Sequence, residues 1–390
     1  MQKYIDEHKV DDLRKIILKN KELFGIPTGV LLAQIATKRK AKEKLPLYHS
    51  TKGMIYPPPE NLEQSSSQAT ALYKSELIKK LRDHSEFTGV DLTGGYGVDT
   101  FFISRAVQRM HYVEPDPFLL ELANYSHQLL GATNIEYHQN TAGEFLNIPG
   151  KFDFMFVDPS RKTNLKKKVY GLEDSQPNIS ELIHQIFART TRLIIKASPL
   201  FDIQAGIAKI PFVSEVHVIS VQNECKELLF VSEINTEGTP SIKAVNIVEG
   251  GEAQELSFDF PEEQGRVITF SEPLQYLFEP NAAILKAGAF KTVAARFQLQ
   301  KIHPNTHLYT AARPVDSFPG RKFEIEALVR LDAREIKRYF PDGKANVTTR
   351  NYPLNPEALK KKTGLKDGGE KYLIGFSGHK KKFLAVARRS

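Results

Sequence analysis

The chain has 390 residues, 41% hydrophobic, 26% charged and 10% aromatic, a composition that fits two or three folded domains and excludes disordered, collagen-like and coiled-coil chains. Its one cysteine, Cys225, excludes an internal disulfide framework and any multi-cysteine zinc or iron–sulfur centre, and fits a reducing compartment. Of the +8 net charge, all lies at the carboxyl end: Lys360 to Ser390 holds ten bases and two acids, leaving 44 of each sign before it.

Val10, Leu13, Ile16, Ile17 and Phe24 recur at helical spacing over residues 8–24, and Val30, Leu31, Leu32 and Ile35 over 29–44, predicting a helical segment within residues 1–59. The amino terminus MQKYIDEHKV lacks the apolar run of a leader, and no stretch approaches the ~18 apolar residues of a membrane span. A cytoplasmic location with no membrane partner is expected. Tyr56-Pro57-Pro58-Pro59 cannot continue a helix and marks a joint before a helix over 68–81.

From Gly89 the pattern changes to short apolar strands alternating with helices. Strands are expected over 90–92, 110–113, 135–138, 152–157 and 193–195, with helices through 101–107, 117–130, near Glu144 and over 178–189. That alternation predicts a parallel sheet covered by helices on both faces. Two further strands, 213–221 and 228–232, are joined only by 222–227, a connection short enough for antiparallel strands alone. Glu249 to Glu263, with six carboxylates and no base, reads as an acidic linker. Beyond it, a helix over 282–297 and a strand over 307–310 precede a last module from Arg321. Its strand 323–330, helix 332–340, strand 346–351, helix 356–362 and two strands around 377–382 predict a βαβαββ domain. Besides the tail, Lys38, Arg39, Lys40, Lys42 and Lys44 form one basic cluster and Arg161, Lys162, Lys166, Lys167 and Lys168 another. Segregated positive charge suits a phosphate backbone, although a solvated lysine surface has the same composition.

The chemistry concentrates where strands end. Asp91-Leu92-Thr93-Gly94-Gly95-Tyr96-Gly97 joins a strand to a helix, the place where open α/β sheets bind ligands. The dinucleotide pattern G-x-G-x-x-G fails because Thr100 stands at the third glycine, which disfavours a nicotinamide oxidoreductase, and there is no phosphate loop. An acidic residue before the glycines points to a ligand with a cationic end, such as S-adenosyl-L-methionine. Glu114 ends the second strand where it can accept from ribose hydroxyls, Asn140 ends the third, and Asp158-Pro159-Ser160-Arg161 ends the fourth. Lys196 and Ser198 follow the fifth. Cys225 has no motif marking it as an activated nucleophile, and the eleven histidines show no metal-ligand spacing, so no metal is expected.

These residues resemble the class I S-adenosylmethionine-dependent methyltransferases, whose first motif is an acidic residue followed by G-x-G-x-G. Here Thr93 stands at the first glycine, a variant seen in several RNA and DNA methyltransferases. The resemblance covers roughly residues 60–235. It implies an α/β fold: a Rossmann-like seven-stranded methyltransferase sheet, with an N-terminal helical segment and a C-terminal α+β region. It also implies that Asp91, Thr93, Gly94, Gly95 and Gly97 hold the methionine end, Glu114 the ribose and Asn140, where an Asp is commoner, the adenine. Asp158, Pro159, Ser160 and Arg161 resemble the motif with which base-modifying methyltransferases grip their target, which usually has an aromatic or second proline where Ser160 and Arg161 stand. Asp158 would accept a proton or simply hold an attacking nitrogen; Arg161 would clamp a phosphate or base, or be a solvated loop residue. DLTGGYGVD, DPSR and RNYPLNPEALKKKTGLKDGG together look like methyltransferases carrying a ferredoxin-like domain, here 236–320 with its linker, and a THUMP-like domain, here 321–390. The implied substrate is a base in tRNA or rRNA. The rival reading is an RNA-binding module that keeps the cofactor pocket but has lost catalysis.

Overall fold

The computed structural model describes residues 22–23, 25–161, 173, 175–250 and 252–390. Most of the first expected helix and Lys162, Lys166, Lys167 and Lys168 lie outside the described residues. Two compact units result, Met1–Ser214 with Leu229–Glu237, and Glu215–Leu228 with Gly238–Ser390.

The first unit begins with Glu22–Leu23 paired to Ile26–Pro27, with Gly25 at φ +70°, so a strand stands at Glu22–Leu23 where the sequence predicts helix. Helices α1 (Thr28–Lys44), α2 (Pro46–Ser50), α3 (Pro59–Gln64) and α4 (Gln68–Leu81) follow. Pro59 opens α3 at its first turn, where its missing N–H has no partner to lose. Ser67 caps α4 by accepting from the Thr70 N–H. The sheet and its covering helices are β1 (Thr88–Asp91), α5 (Val98–Ser104), β2 (Arg109–Val113), α6 (Pro117–Leu129), β3 (Ile135–His138), α7 (Ala142–Leu146), β4 (Phe154–Val157), α8 (Ile179–Phe187) and β5 (Arg192–Ala197). After them come α9 (Ile203–Lys209), β6 (Val213–Val221) and β7 (Glu224–Glu233). The strand order is β6-β7-β5-β4-β1-β2-β3, with β1 to β5 parallel. β4, Phe-Met-Phe-Val, is buried along its length, as a central parallel strand covered on both faces must be. Thr141 and Glu144 form a reciprocal capping box on α7. Helix α9 was not expected from the sequence. The turn between β6 and β7 is only Gln222-Asn223, both at positive φ, a tight hairpin that places Cys225 on β7 itself.

The helical segment shares a core with the glycine turn. Leu45, Tyr48, Met54 and Tyr56 pack with Leu62, Ala71, Tyr96, Val98, Phe101 and Phe102, and the Tyr96 hydroxyl donates to the Ile55 carbonyl at 3.1 Å. Tyr96 thus turns inward and anchors the loop that carries it.

In the second unit, residues 215–221 of β6 pair in parallel with β8 (Ser241–Ile247), and β9 (Gln254–Phe258) pairs antiparallel with β8, two strands beyond the seven expected. The acidic stretch is therefore not a linker. Leu256 and Phe258 alternate inward against Glu255 and Ser257, and α10 (Phe260–Gly265) starts at an Asp259 cap. A second sheet takes β10 (Tyr276–Pro280), β11 (Gln300–His303), β12 (Thr306–Ala311), β13 (Gly320–Val329), β14 (Asn346–Arg350), β15 (Lys371–Ser377) and β16 (Lys382–Arg389), in the order β11-β12-β10-β13-β16-β15-β14. The helix expected over 282–297 is two, α11 (Ala282–Ala287) and α12 (Phe290–Arg296), because Gly288 at φ +80° ends the first. With α13 (Ala333–Lys337) and α14 (Pro356–Thr363), the last module is the expected βαβαββ. Asp332 caps α13 and Asn355 caps α14. No helix among the described residues is long and apolar enough to cross a membrane.

Candidate functional site

Because β1, β2, β3, β4 and β5 run parallel, their carboxyl ends share one edge of the sheet. That edge carries Asp91, Glu114, Asn140, Asp158 and Lys196. The glycine turn lies over it, held from three sides. Glu114 accepts from the Gly95 N–H at 2.8 Å and the Asp116 N–H at 3.0 Å. The Tyr112 hydroxyl donates to the Gly95 carbonyl at 2.5 Å. His127, fully buried and pushed down to about 4 by that burial, is neutral; its Nε2 lies 2.9 Å from the Gly97 carbonyl and must donate, leaving Nδ1 to accept from Tyr137 at 2.8 Å.

The glycines differ in what they serve. A Cβ on Gly94 would come 2.2 Å from the Tyr112 ring, and one on Gly97, at φ +79°, 2.6 Å from His127 Nε2, so both are demanded by packing. Gly95, at φ +54°, meets nothing nearer than a backbone oxygen at 3.9 Å and faces open space. This is a place where a ligand can approach backbone.

Asp91 is buried, and both its oxygens are engaged. Oδ1 accepts from the Thr93 N–H at 3.0 Å and lies 3.3 Å from the Thr93 hydroxyl; Oδ2 accepts from the Thr100 hydroxyl at 2.6 Å. Burial raises its carboxyl to about 7, the Thr100 and Thr93 bonds pulling the other way and the charges of Asp99 and Asp158 adding to the rise. The folded protein therefore binds the proton more tightly than the unfolded chain. The stability contributed by the neutral acid is full below the ordinary Asp range and is lost as pH climbs through 7. Urea unfolding between pH 4 and 8 should show the wild type losing stability relative to Asp91→Asn as pH rises; parallel curves would reject this environment for Asp91.

Thr93, where the resemblance has its first glycine, joins two strands. Its hydroxyl accepts from the Asp158 N–H at 2.7 Å while contacting Asp91. Asp158 is half-buried, and Lys196 Nζ lies 2.5 Å from its Oδ2. Lys196 also lies 3.8 Å from Asp99, whose other oxygen is 3.0 Å from Lys74 Nζ. The Ser66 hydroxyl donates to Asp99 at 2.6 Å and accepts from Lys74 at 3.0 Å. Alternating charges Asp158, Lys196, Asp99 and Lys74 thus run inward from the rim. Burial by itself penalises an ionised Asp99, but the two lysines and Ser66 hold its carboxyl below the ordinary range. Burial likewise raises Glu114, opposed by its two backbone N–H bonds.

The structure gathers Asp91, Thr93, Gly94, Gly95, Gly97, Glu114 and Asp158 into one hydrogen-bonded assembly. Asn140 sits half-buried in the bend before α7, with no bond tying it to those residues. Pro159 follows Asp158, and Ser160–Arg161 pairs with Ser175–Gln176, the Ser160 hydroxyl donating to the Gln176 carbonyl at 3.1 Å. Ser198 caps the turn after β5, its hydroxyl accepting from the Leu200 N–H at 3.3 Å. Burial pushes the Cys225 thiol up, the opposite of an activated nucleophile. Sequence reasoning missed Ser66, Lys74, Asp99, Tyr112 and His127. Lys74 was detectable: it is the one base in the apolar stripe Ala71, Leu77, Ile78 of α4.

The strand order and glycine turn define a methyltransferase fold of the Rossmann-like class. The chain's carboxyl part adds two recognised modules, residues 276–319 matching the ferredoxin-like domain family and residues 320–389 the THUMP domain-like family. Along 100% of its length the chain superposes on 97% of a solved protein described as a "putative methyltransferase" from Porphyromonas gingivalis W83, at 28% identity and a TM-score of 0.86. An rRNA methylase from Streptococcus thermophilus overlaps 41% of this chain with 94% of its own, at 17% identity and a TM-score of 0.31, too slight an overlap to carry inference. No curated protein matches.

Proposed function

We propose that the protein is an S-adenosyl-L-methionine-dependent methyltransferase of class I that methylates a base in tRNA or rRNA. The observation that carries the reading is the line Asp91–Thr93–Asp158, which couples a glycine turn facing open space to a half-exposed carboxylate at the next strand end. The residues present fit the cofactor. Gly95 leaves room at the backbone. Each Glu114 oxygen keeps a lone pair for a ribose hydroxyl after accepting one N–H. Asn140 offers an amide to an adenine edge. Asp91, whose ionised form is penalised by burial, gains from a cationic group nearby, and Thr93, Gly94 and Gly97 hold the turn's shape.

The cofactor supplies a methyl group already activated on a positively charged sulfur, so positioning can provide most of the acceleration. Asp158 accepts the hydrogen bond of the attacking nitrogen and takes its proton on the oxygen not paired with Lys196. Pro159, Ser160 and Arg161 continue the target-gripping segment. The same reading divides the chain into 1–59, a methyltransferase domain 60–235, a ferredoxin-like part 236–320 and a THUMP-like domain 321–390.

Charge supports RNA as the partner. In the tail, Lys361, Lys362, Lys366, Lys380, Lys382 and Arg389 are exposed and unpaired with any carboxylate among the described residues, whereas Lys360, Lys371, Lys381 and Arg388 are paired. The test is single-turnover transfer of a labelled methyl group to total RNA, with DNA and protein as parallel acceptors. Label in RNA is expected. Binding of the donor with no transfer to any acceptor would leave the inactive RNA-binding module instead.

A further inference from the structure

A second cluster of ligating side chains lies on the same sheet, apart from the glycine turn. Parallel pairing sets His111 of β2 directly across from Glu136 of β3, and His138, two residues on, projects from the same face. His111 Nδ1 and His138 Nε2 are 3.0 Å apart, and Glu136 oxygens lie 3.8 Å from the first and 3.7 Å from the second. Ligands around a four-coordinate ion with bonds of ~2.0–2.2 Å stand about 3.3–3.5 Å from one another, so only small side-chain rotations separate this arrangement from a coordinating one. We propose that His111, Glu136 and His138 bind a divalent transition-metal ion of the zinc class.

Two features favour an ion over a plain hydrogen bond between imidazoles. All three residues present a ligand atom within 4.8 Å of the others, the one such group among the described residues. The two rings stack at 5.2 Å against a wall made by Phe145 and Phe152, which fixes their planes and shields the site on one side. Glu136 is half-exposed, which keeps the fourth position open to water. Two imidazoles and one carboxylate suit zinc, cobalt or nickel better than calcium or magnesium. An ion there would fasten β3, the edge strand, to β2 just before Glu114, whose N–H donates to the His138 carbonyl at 3.1 Å.

The full-length protein, stripped with a chelator, is titrated with Zn²⁺ by calorimetry and with Co²⁺ by visible absorption. One ion per chain with micromolar or tighter affinity is expected, together with the intense visible bands of four-coordinate Co²⁺. His138→Ala should abolish both signals. The milder Glu136→Gln, at an exposed side chain, keeps the fold and should weaken binding about tenfold or more. His379→Ala, outside the cluster, should change nothing. No stoichiometric binding to the wild type, wild-type affinity in either cluster variant, or loss of binding in His379→Ala would each overturn the site.

Discussion

Asp158→Asn is expected to slow single-turnover methyl transfer by ~10²–10⁴-fold while leaving affinity for S-adenosylmethionine nearly unchanged. The substitution keeps the side chain's shape and an oxygen for Lys196 Nζ, and the backbone N–H still reaches Thr93. What it removes is the capacity to hold the proton released by the attacking nitrogen. Because the glycine turn, Glu114 and Asp91 are untouched, the loss should fall on the transfer rate and not on donor binding. Rates with labelled donor and calorimetry on the same preparation separate the two. A full rate would remove Asp158 from the chemistry; an equal loss in donor affinity would make it part of the pocket instead.

The largest structural effect is expected from Lys74→Met, with a loss of ~3–5 kcal/mol in folding stability. Lys74 and Asp99 are both buried, and the ammonium is the nearer of the two cations that neutralise that carboxylate. Methionine fills similar volume, so packing survives while Asp99 keeps the Ser66 hydroxyl and the more distant cation Lys196, already drawn to Asp158. Adding Asp99→Asn removes the stranded charge and should recover most of the loss. Urea unfolding of wild type, single and double variants measures this; a cost under about 1 kcal/mol, or a double variant no better than the single, would show that the pair is not coupled. In the wild type, Asp99's depressed carboxyl contributes stability that is complete above the ordinary carboxylate range and lost as pH falls below it.

Much of the secondary structure up to residue 221 is readable from local pattern. Gln68–Leu81, Ile135–His138 and Val213–Val221 appear at the expected bounds, because their periodicities and flanking caps or turns all act within a few residues. The stretch 249–263 misled because its carboxylates dominate composition, whereas β9 is decided by two inward side chains, Leu256 and Phe258. Gly288, which falls inside the single helix expected over 282–297, ends α11 because glycine takes the left-handed conformation there without steric cost.

The candidate site divides the same way. Asp91, Glu114, Asn140 and Asp158 could be placed on one edge from sequence, since parallel strands put every carboxyl end on the same side. That Asp91 turns both oxygens into its own loop, that Thr93 links it to Asp158, and that Lys74 and Asp99 extend the charges inward required the tertiary structure. The same is true of His111, Glu136 and His138. The succession of strands and helices along the chain and the alternation of side chains within a strand are local properties, encoded where the residues stand. Which distant charges meet is set by strand register and helix packing: a shift of one residue would turn a strand side chain to the opposite face and swing a helical one about 100° around its axis.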